Sequence, residues 1–200
     1  QGRAPQIVLV VSNKTMPNFK SIADLKGKKI GVTAPGSSTN MMANFVLAKA
    51  GLKPSDVSFI GVGASAGAVA AMRSGQIDAM ANLDPVISML TQKNEVKIAS
   101  DTRTIKETQT VFGGNMPSGC LYASVSFIQQ NPNTTQAMTN AMVRALKWLQ
   151  KAGPSDIVKT VPESYLLGDR ALYLAAWDKV KEAISPDGMI PPDQLAAIRK

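Results

Sequence analysis

Histidine is absent from this 200-residue chain, and cysteine occurs once, at Cys120. Without histidine, neither a Ser-His-Asp nor a Cys-His catalytic system can form. Zinc sites are built mainly from several Cys and His ligands, so we expect no zinc and no other bound metal. A single cysteine also cannot form an internal disulfide. These absences exclude much of hydrolase chemistry and favour a chain that is not an enzyme.

Long apolar runs are missing as well. The longest purely aliphatic run, Ile7–Val11, is far too short to cross a bilayer. The first residues, Gln-Gly-Arg-Ala-Pro, do not form a charged and then apolar leader. That start fits a mature exported protein whose leader has been removed, and it equally fits a cytosolic protein. The hydrophobic content of 44% suits one compact domain or two small lobes.

The formal net charge is +8, which suits either nucleic acid or a small anionic ligand. Lysine and arginine occur singly or in pairs, such as Lys28–Lys29, and aromatic residues do not interleave with them. A nucleic-acid-binding surface has a basic patch together with a recognisable motif. We therefore expect no nucleic-acid partner, and the charge fits a weak attraction of anionic solutes.

Apolar strands alternate with helical patterns along the first half of the chain, with short joints between them. This alternation predicts an α/β fold with a parallel sheet. The expected strands are Gln6–Val11, Lys29–Thr33, Val57–Val62, Ile77–Ala81 and Val96–Ala99. The expected helices are Ser38–Ala50, Ala64–Ser74 and a third that starts at Asp84-Pro85 and ends near Lys93.

The pattern changes after Ser100. Residues Asp101–Asn115 are polar and are predicted to be irregular, and Cys120–Val125 is predicted to be a further apolar strand. The remainder is expected to be helical. The expected helices are Pro132–Ala152, Asp156–Val161, Asp169–Ile184 and Pro192–Arg199.

The segment around Pro35 has the composition that points most directly to a ligand. After a buried strand, a Pro-Gly turn places Gly36, Ser37, Ser38 and Thr39 at the start of a helix. The first N–H groups of a helix lack partners and its N-terminus is positive, so these four residues are the first candidates for holding a carboxylate or sulfonate. A plain N-cap explains one hydroxyl, although three in a row exceed that need.

A second loop, with Gly61, Gly63 and Gly67, supports a different interpretation. It follows a predicted strand, precedes a predicted helix and spells G-x-G-x-x-x-G, with Asp84 17 residues beyond Gly67. In a dinucleotide-binding fingerprint, such glycines admit a pyrophosphate and the acid binds ribose. The alternative function is therefore an oxidoreductase-like dinucleotide binder. The spacing is the looser variant, and no Tyr-Lys pair at helical spacing accompanies it.

Polar residues near later strands are further candidates for ligand contact. Asn82 and Asp84 follow a predicted strand and have acceptors for an amine or hydroxyl of a ligand, but Asp84 equally suits the cap of the helix that begins at Pro85. Asn115 and Ser118 precede the strand predicted over Cys120–Val125. They have the reach to touch a ligand, and an ordinary turn explains them as well.

Four segments in order, DLKGKKIGVTAPGSSTN, AGLKPSDVSFIGVG, AVAAMRSGQIDAM and NLDPV, resemble a known family. They are similar to the solute-binding proteins of bacterial ABC importers, in the group that binds nitrate, sulfonates, taurine and thiamine precursors. The resemblance runs over most of residues 6–150. It implies a type 2 periplasmic-binding-protein fold of α/β lobes joined by crossing strands, and no cofactor. It also implies a small solute as ligand, an ABC permease at the membrane as partner, and a periplasmic location.

The resemblance also implies a domain organisation. Residues 1–22 would form a hinge strand and connector, 23–110 the α/β ligand-binding lobe, and 111–200 a return hinge strand with C-terminal helices. Ser65 would lie at a helix start that faces the cleft. Family members normally have a further α/β half-lobe before the DLKGKK segment, so a missing N-terminal lobe or a second chain is expected to complete the cleft.

The resemblance leaves two other functions open to comparison. Some relatives make the thiamine pyrimidine and depend on histidine and a cysteine-rich motif, which this chain lacks. A lobe adapted as a sensor or interaction module is the third alternative. Many relatives also have an aromatic residue in the segment before the acidic residue and proline, and this chain has none there. The solute therefore cannot be carried over from any one subgroup.

Overall fold

The computed structural model describes residues 2–166 and 168–190, and one mixed β-sheet lies at its centre. The strands of this sheet are β1 (Val8–Ser12), β2 (Lys29–Val32), β3 (Ser58–Gly61), β4 (Ala79–Asn82) and β5 (Val96–Asp101). Their order across the sheet is β3-β2-β4-β1-β5. β2 is parallel to β3 and β4, whereas β1 is antiparallel to both of its neighbours, β4 and β5.

The direction of β1 corrects the prediction of a parallel sheet. That prediction is correct for β2, β3 and β4 and wrong for β1, whose five residues are all buried between β4 and β5. Crossover helices force the strands they connect to run parallel. Because β1 precedes the first strand–helix–strand unit, nothing in the alternation sets its direction.

Helices cover both faces of the sheet. They are α1 (Ser38–Lys49), α2 (Ala66–Ser74) and α3 (Val86–Gln92). Side chains alternate between faces along a strand. Leu9 and Val11 of β1 accordingly pack in one buried cluster with α1, and Val8 and Val10 pack in a second cluster with α2 and α3. β1 thus contributes to the core on both sides.

A helix occupies most of the segment Asp101–Asn115, which the sequence predicts to be irregular. This helix, α4, is Ile105–Phe112. Thr104 Oγ1 accepts the N–H of Glu107 at 3.1 Å, and the Glu107 carboxylate accepts the N–H of Thr104 at 3.2 Å. These two bonds form a capping box. The prediction was wrong because the polar composition of the segment obscured this T-x-x-E pattern.

The strand predicted over Cys120–Val125 is also wrong. Within the described part of the chain, the backbone of residues 120–123 makes no hydrogen bond. Leu121 is 51% exposed and Tyr122 is 87% exposed. The chain then enters a helix capped by Ser124. An apolar run becomes a strand only where another strand pairs with it, and no described strand lies beside this one.

The C-terminal helices are confirmed apart from their ends. They are α5 (Val125–Gln130), α6 (Pro132–Leu149), α7 (Pro154–Thr160), α8 (Glu163–Leu166) and α9 (Arg170–Val180). Helix α9 packs on α3, where Lys179 Nζ donates to Ser88 Oγ at 3.4 Å. The helix predicted over Pro192–Arg199 lies outside the described residues. Of the helices that are described, none has the length and apolar character needed to span a bilayer.

Two crossing segments connect the sheet to the C-terminal helices. Gly2 forms antiparallel bridges with Ser118 and with Ile184. The N–H of Ser118 donates to the carbonyl of Gly2 at 3.1 Å. Closer to the sheet, the N–H of Thr102 donates to the carbonyl of Ile7 at 3.1 Å. The chain therefore crosses before β1 rather than through it, and the predicted hinge strand β1 is a central strand of the sheet.

Two leucine substitutions test this description of the core. Leu9→Ala removes a fully buried side chain from β1 and should lower the free energy of unfolding by about 2–5 kcal/mol, because it loses burial and leaves a cavity. Leu121→Ala removes a half-exposed side chain and should cost about 0.5 kcal/mol or less. Urea unfolding measures both values, and equal losses would contradict the assignment.

Candidate ligand-binding site

The loops after β2, β3 and β4 emerge at the same edge of the sheet, which we call the carboxyl edge. Val32 at the end of β2 pairs with Gly61 at the end of β3. β1 runs the other way and begins at this edge, where Val8 lies opposite both Asn82 and Asp101. The ends of β4 and β5 are therefore level with each other. In open α/β sheets this edge is the usual position of a ligand.

Hydrogen bonds connect these loops into one unit. The N–H of Gly63 donates to the carbonyl of Thr33 at 3.1 Å, and Asn82 Nδ2 donates to the carbonyl of Gly63 at 2.9 Å. Gly63 has a φ of 71°, which favours glycine. A Cβ on Gly61 would lie 3.3 Å from Pro35 Cδ, so the loops also approach closely. Asn82 is fully buried and positions the loops; its contact with a ligand stays a prediction.

Three hydroxyl groups form a closed cluster at the end of β2. The Oγ1 of Thr33 lies 3.0 Å from Ser37 Oγ and 2.9 Å from Thr39 Oγ1, and the last two oxygens are 2.8 Å apart. Thr39 is fully buried, and its Oγ1 also accepts the N–H of Thr33 at 2.9 Å. Ser37 Oγ accepts the N–H of Asn40 at 3.4 Å, so Ser37 is the N-cap of α1.

Several donors at the same loops have no acceptor among the described residues. The N–H groups of Ser38 and Thr39, at the start of α1, are unpaired, and Ser38 is exposed. The Nδ2 of Asn40 is buried without a partner, although its Oδ1 accepts the N–H of Gly36 at 2.9 Å. Ser65 occupies the N-cap position of α2 but makes no capping hydrogen bond. The free hydrogen-bonding capacity here is therefore mainly that of donors.

An ion-pair network lies beside these loops. Arg103 Nη1 donates to Asp84 Oδ2 at 3.3 Å, and Arg103 Nε lies 3.0 Å from both Asp101 oxygens. All three side chains are at most 11% exposed. Burial alone would lower the pKa of the Arg103 guanidinium, but the hydrogen bonds and charges of both carboxylates raise the pKa above its ordinary value. Arg103 therefore stays charged and holds Asp84 in place.

Asp84 also stabilises the start of α3. Its Oδ1 accepts the N–H of Ser88, in the first turn of α3, at 2.8 Å. The carboxylate is thus bound on one oxygen by a helix N–H and on the other by Arg103. The capping interpretation of Asp84 is supported, and its direct contact with a ligand stays a prediction.

Asn115 and Ser118 lie on the return crossing rather than in the connected loops. Asn115 Oδ1 accepts a hydrogen bond from Gln109 Nε2 at 2.9 Å, and the backbone of Ser118 pairs with Gly2. No hydrogen bond among the described residues links either side chain to the loops after β2, β3 or β4. Their proposed contact with a ligand stays a prediction.

Sequence reasoning missed Thr33, Asp101 and Arg103. Thr33 was taken only as the end of a strand, and the other two fell in the segment predicted to be irregular. Position is the signal that could have found them, because each lies at or just beyond the carboxyl end of a strand, where ligand-facing residues collect. Their contacts depend on strand order, which the sequence pattern does not specify.

A model of the NMT1-like family matches residues 7–161 of the chain. The chain belongs to this family. The match includes the whole sheet and every loop of the carboxyl edge described above.

Two relatives show how much of a longer protein this NMT1-like chain represents. A solved structure from Bordetella bronchiseptica RB50 is 64% identical and has a TM-score of 0.95; the match covers 98% of this chain and 62% of that one. A protein of Brucella abortus (strain 2308), provisionally named a binding protein, is 32% identical over 155 residues. That match covers 76% of this chain and 45% of the relative. The chain thus spans about half the length of the curated relative.

The NMT1-like chain shares its fold with more distant solved structures. The alkanesulfonate-binding protein SsuA from Xanthomonas axonopodis pv. citri, bound to MOPS, is 22% identical with a TM-score of 0.69. The match covers 99% of this chain and 63% of that one. The fold expected from the sequence, a lobe of the type 2 periplasmic-binding-protein kind, is confirmed.

The dinucleotide alternative gains no support from the structure or from these relatives. The carboxylate assigned to ribose, that of Asp84, is engaged by Arg103 and by the N–H of Ser88. The carbonyl of Gly63 is held by Asn82. In addition, the antiparallel β1 interrupts the parallel sheet, which a doubly wound dinucleotide-binding sheet does not show.

Two arginine substitutions test the role of the buried network. Arg103→Met leaves Asp84 and Asp101 without their cation in a buried position, so the free energy of unfolding should fall by about 3–5 kcal/mol. Arg73→Met is the matched control, because Arg73 pairs with Glu95 at a site where both side chains are at least 30% exposed. It should cost about 1 kcal/mol or less. Urea unfolding compares the two, and similar losses would show that Arg103 is not a structural anchor.

Proposed function

We propose that this chain binds a small anionic solute, a sulfonate or carboxylate, at the carboxyl edge of its sheet and catalyses no reaction. The observation that carries the proposal is the set of unpaired donors on α1, from the N–H groups of Ser38 and Thr39 and the side-chain amide of Asn40. An anionic oxygen supplies the acceptors that these donors lack. The positive end of the helix dipole adds to the attraction.

The other polar groups at this edge fit the same ligand class. Ser38 Oγ and Ser65 Oγ have no protein partner among the described residues and add two donors. The carboxylates of Asp84 and Asp101 are bound to Arg103. They are therefore not arranged as free acceptors for a cationic ligand. The formal net charge of +8 adds a weak long-range attraction for anions.

The proposal extends to transport. We assign the captured solute to an ABC permease and the protein to the periplasm, as the sequence resemblance implies. Support comes from the solved periplasmic aliphatic sulphonate binding protein SsuA of Escherichia coli, which shares this fold with a TM-score of 0.64. In such a system the cleft closes on the solute as a population shift. The shift is limited by how much more tightly the closed form binds.

Ser38→Ala tests the binding site. Its hydroxyl is exposed and takes no part in the cluster of Thr33, Ser37 and Thr39, so its loss should leave the fold intact. A hydrogen bond to a charged group contributes about 1.5–3 kcal/mol. We therefore expect affinity for ethanesulfonate, measured by titration calorimetry, to fall about tenfold or more, with acetate as the carboxylate probe.

Ser155→Ala is the matched control, because Ser155 is also an exposed serine in the first turn of a helix, α7, far along the chain. Both variants should unfold within about 0.5 kcal/mol of the parent. Equal affinity in the two variants would remove Ser38 from the site. If the parent binds neither anion, the proposed ligand class is wrong. Thr39 is less suitable for this test, because its buried hydroxyl also holds the N–H of Thr33.

A further inference from the structure

A connected apolar surface is uncovered on residues 120–123 and on helices α5 and α6, and we call it the open face. Helix α6 contributes Met138 and Met142, which lie one turn apart on one side of the helix. Soluble proteins seldom expose large contiguous apolar patches without a partner. The exposed side chains of the open face are Leu121, Tyr122, Val125, Ile128, Met138 and Met142.

The open face is concave rather than flat. A groove of about 640 Å³ lies between the segment with Tyr122 and the two helices, and Met138 forms part of its wall. A second groove of about 430 Å³ continues from it, lined by Met142 and the partly buried Leu146. Leu121 and Thr139 line both grooves. The apolar surface is therefore continuous along one side of α6.

The edge of the open face is an unpaired backbone segment. In the part of the chain that the structure describes, residues 120–123 form no hydrogen bond through their N–H or carbonyl groups. The segment is anchored on both sides, because the carbonyl of Gly119 accepts the N–H of Gly2 at 2.9 Å and Ser124 caps α5. An unpaired, anchored segment beside apolar helices is suited to pairing with a strand of another sheet.

We propose that the open face is the docking surface for a protein segment that presents a free β-strand edge flanked by apolar side chains. The occupant is the counterpart of the part of the Bordetella bronchiseptica chain that this chain does not match. This chain is superimposable on that one over 98% of its own length, with a TM-score of 0.95, but accounts for only 62% of the longer chain. The inference deepens the proposed function, because the docked segment would form the second wall of the ligand cleft.

Co-purification tests the docking. The unmatched part of the Bordetella protein is expressed as a separate, tagged polypeptide together with this chain, and the complex is recovered on the tag. We expect a one-to-one complex, and Tyr122→Asp should reduce its yield at least tenfold because it places a charge in the groove. Tyr165→Asp is the matched control, since Tyr165 is 65% exposed and lies outside both grooves; it should leave the yield unchanged.

Hydrogen exchange provides a second measurement that does not depend on separate folding of the added polypeptide. The amides of residues 120–123 should exchange at least a hundredfold more slowly at the aligned positions of the intact Bordetella protein than in this chain. In the co-purified complex, Ala123→Pro should abolish the protection of this segment because it removes one N–H, while Ala123→Gly should retain it.

Three results would overturn the proposal. The first is fast exchange at the aligned amides of the intact Bordetella protein. The second is a complex that Tyr122→Asp does not weaken. The third is a dimer of this chain whose residues 120–123 are protected, which would make a second copy the occupant. None of these measurements uses a solute, so docking can fail while Ser38→Ala still weakens ethanesulfonate binding, and the reverse result is equally readable.

Discussion

The insertion of β1 between β4 and β5 is the constraint on which the rest of the structure depends. Its residues are buried on both faces, so a shift of one residue would turn Leu9 and Val11 away from α1 and towards α2. This two-sided burial fixes the register in which Val8 lies opposite Asn82 and Asp101. With the ends of β4 and β5 level, Arg103 reaches both Asp84 and Asp101. The ion-pair network is thus a consequence of strand register.

The direction of β1 has a second consequence. An antiparallel strand begins at the edge where its parallel neighbours end, so the crossing residues before β1 arrive at the carboxyl edge. The crossing and the loops of the candidate site are therefore neighbours. A change in the dihedral angles of the crossing would alter the position of the C-terminal helices relative to the loops, which is what closure around a ligand requires.

Polar residues at the carboxyl edge divide into those that build the loops and those that remain available. Thr33, Thr39 and Asn82 use their side chains within the protein, where they hold the loops in one arrangement. Ser38 and Ser65 are exposed at helix starts. A site whose supporting groups are already bonded loses little conformational freedom when a ligand binds. Caps and ligand donors therefore occur side by side in the same short segment.

The extent of prediction differs between the local and the non-local features. Strands and helices of the sheet region were found from periodicity and from Gly and Pro positions, and the start of α1 was found from its hydroxyl residues, because these signals act over a few residues. The failures at Asp101–Asn115 and Cys120–Val125 have different causes. In the first, polar composition concealed a capping box; in the second, an apolar run was given a strand without a partner to pair with.

The sequence by itself determined the fold class, the order of the strands and helices along the chain, and the segment Gly36–Thr39 as a donor-rich helix start. Each depends on local backbone preferences and on the spacing of apolar residues. Only the tertiary structure decided the direction of β1, the partners of Asp84 and Asn82, and the exposure of Leu121 and Tyr122. These depend on which distant segments pack together, and the free energy of such contacts is not encoded in any one stretch of the chain.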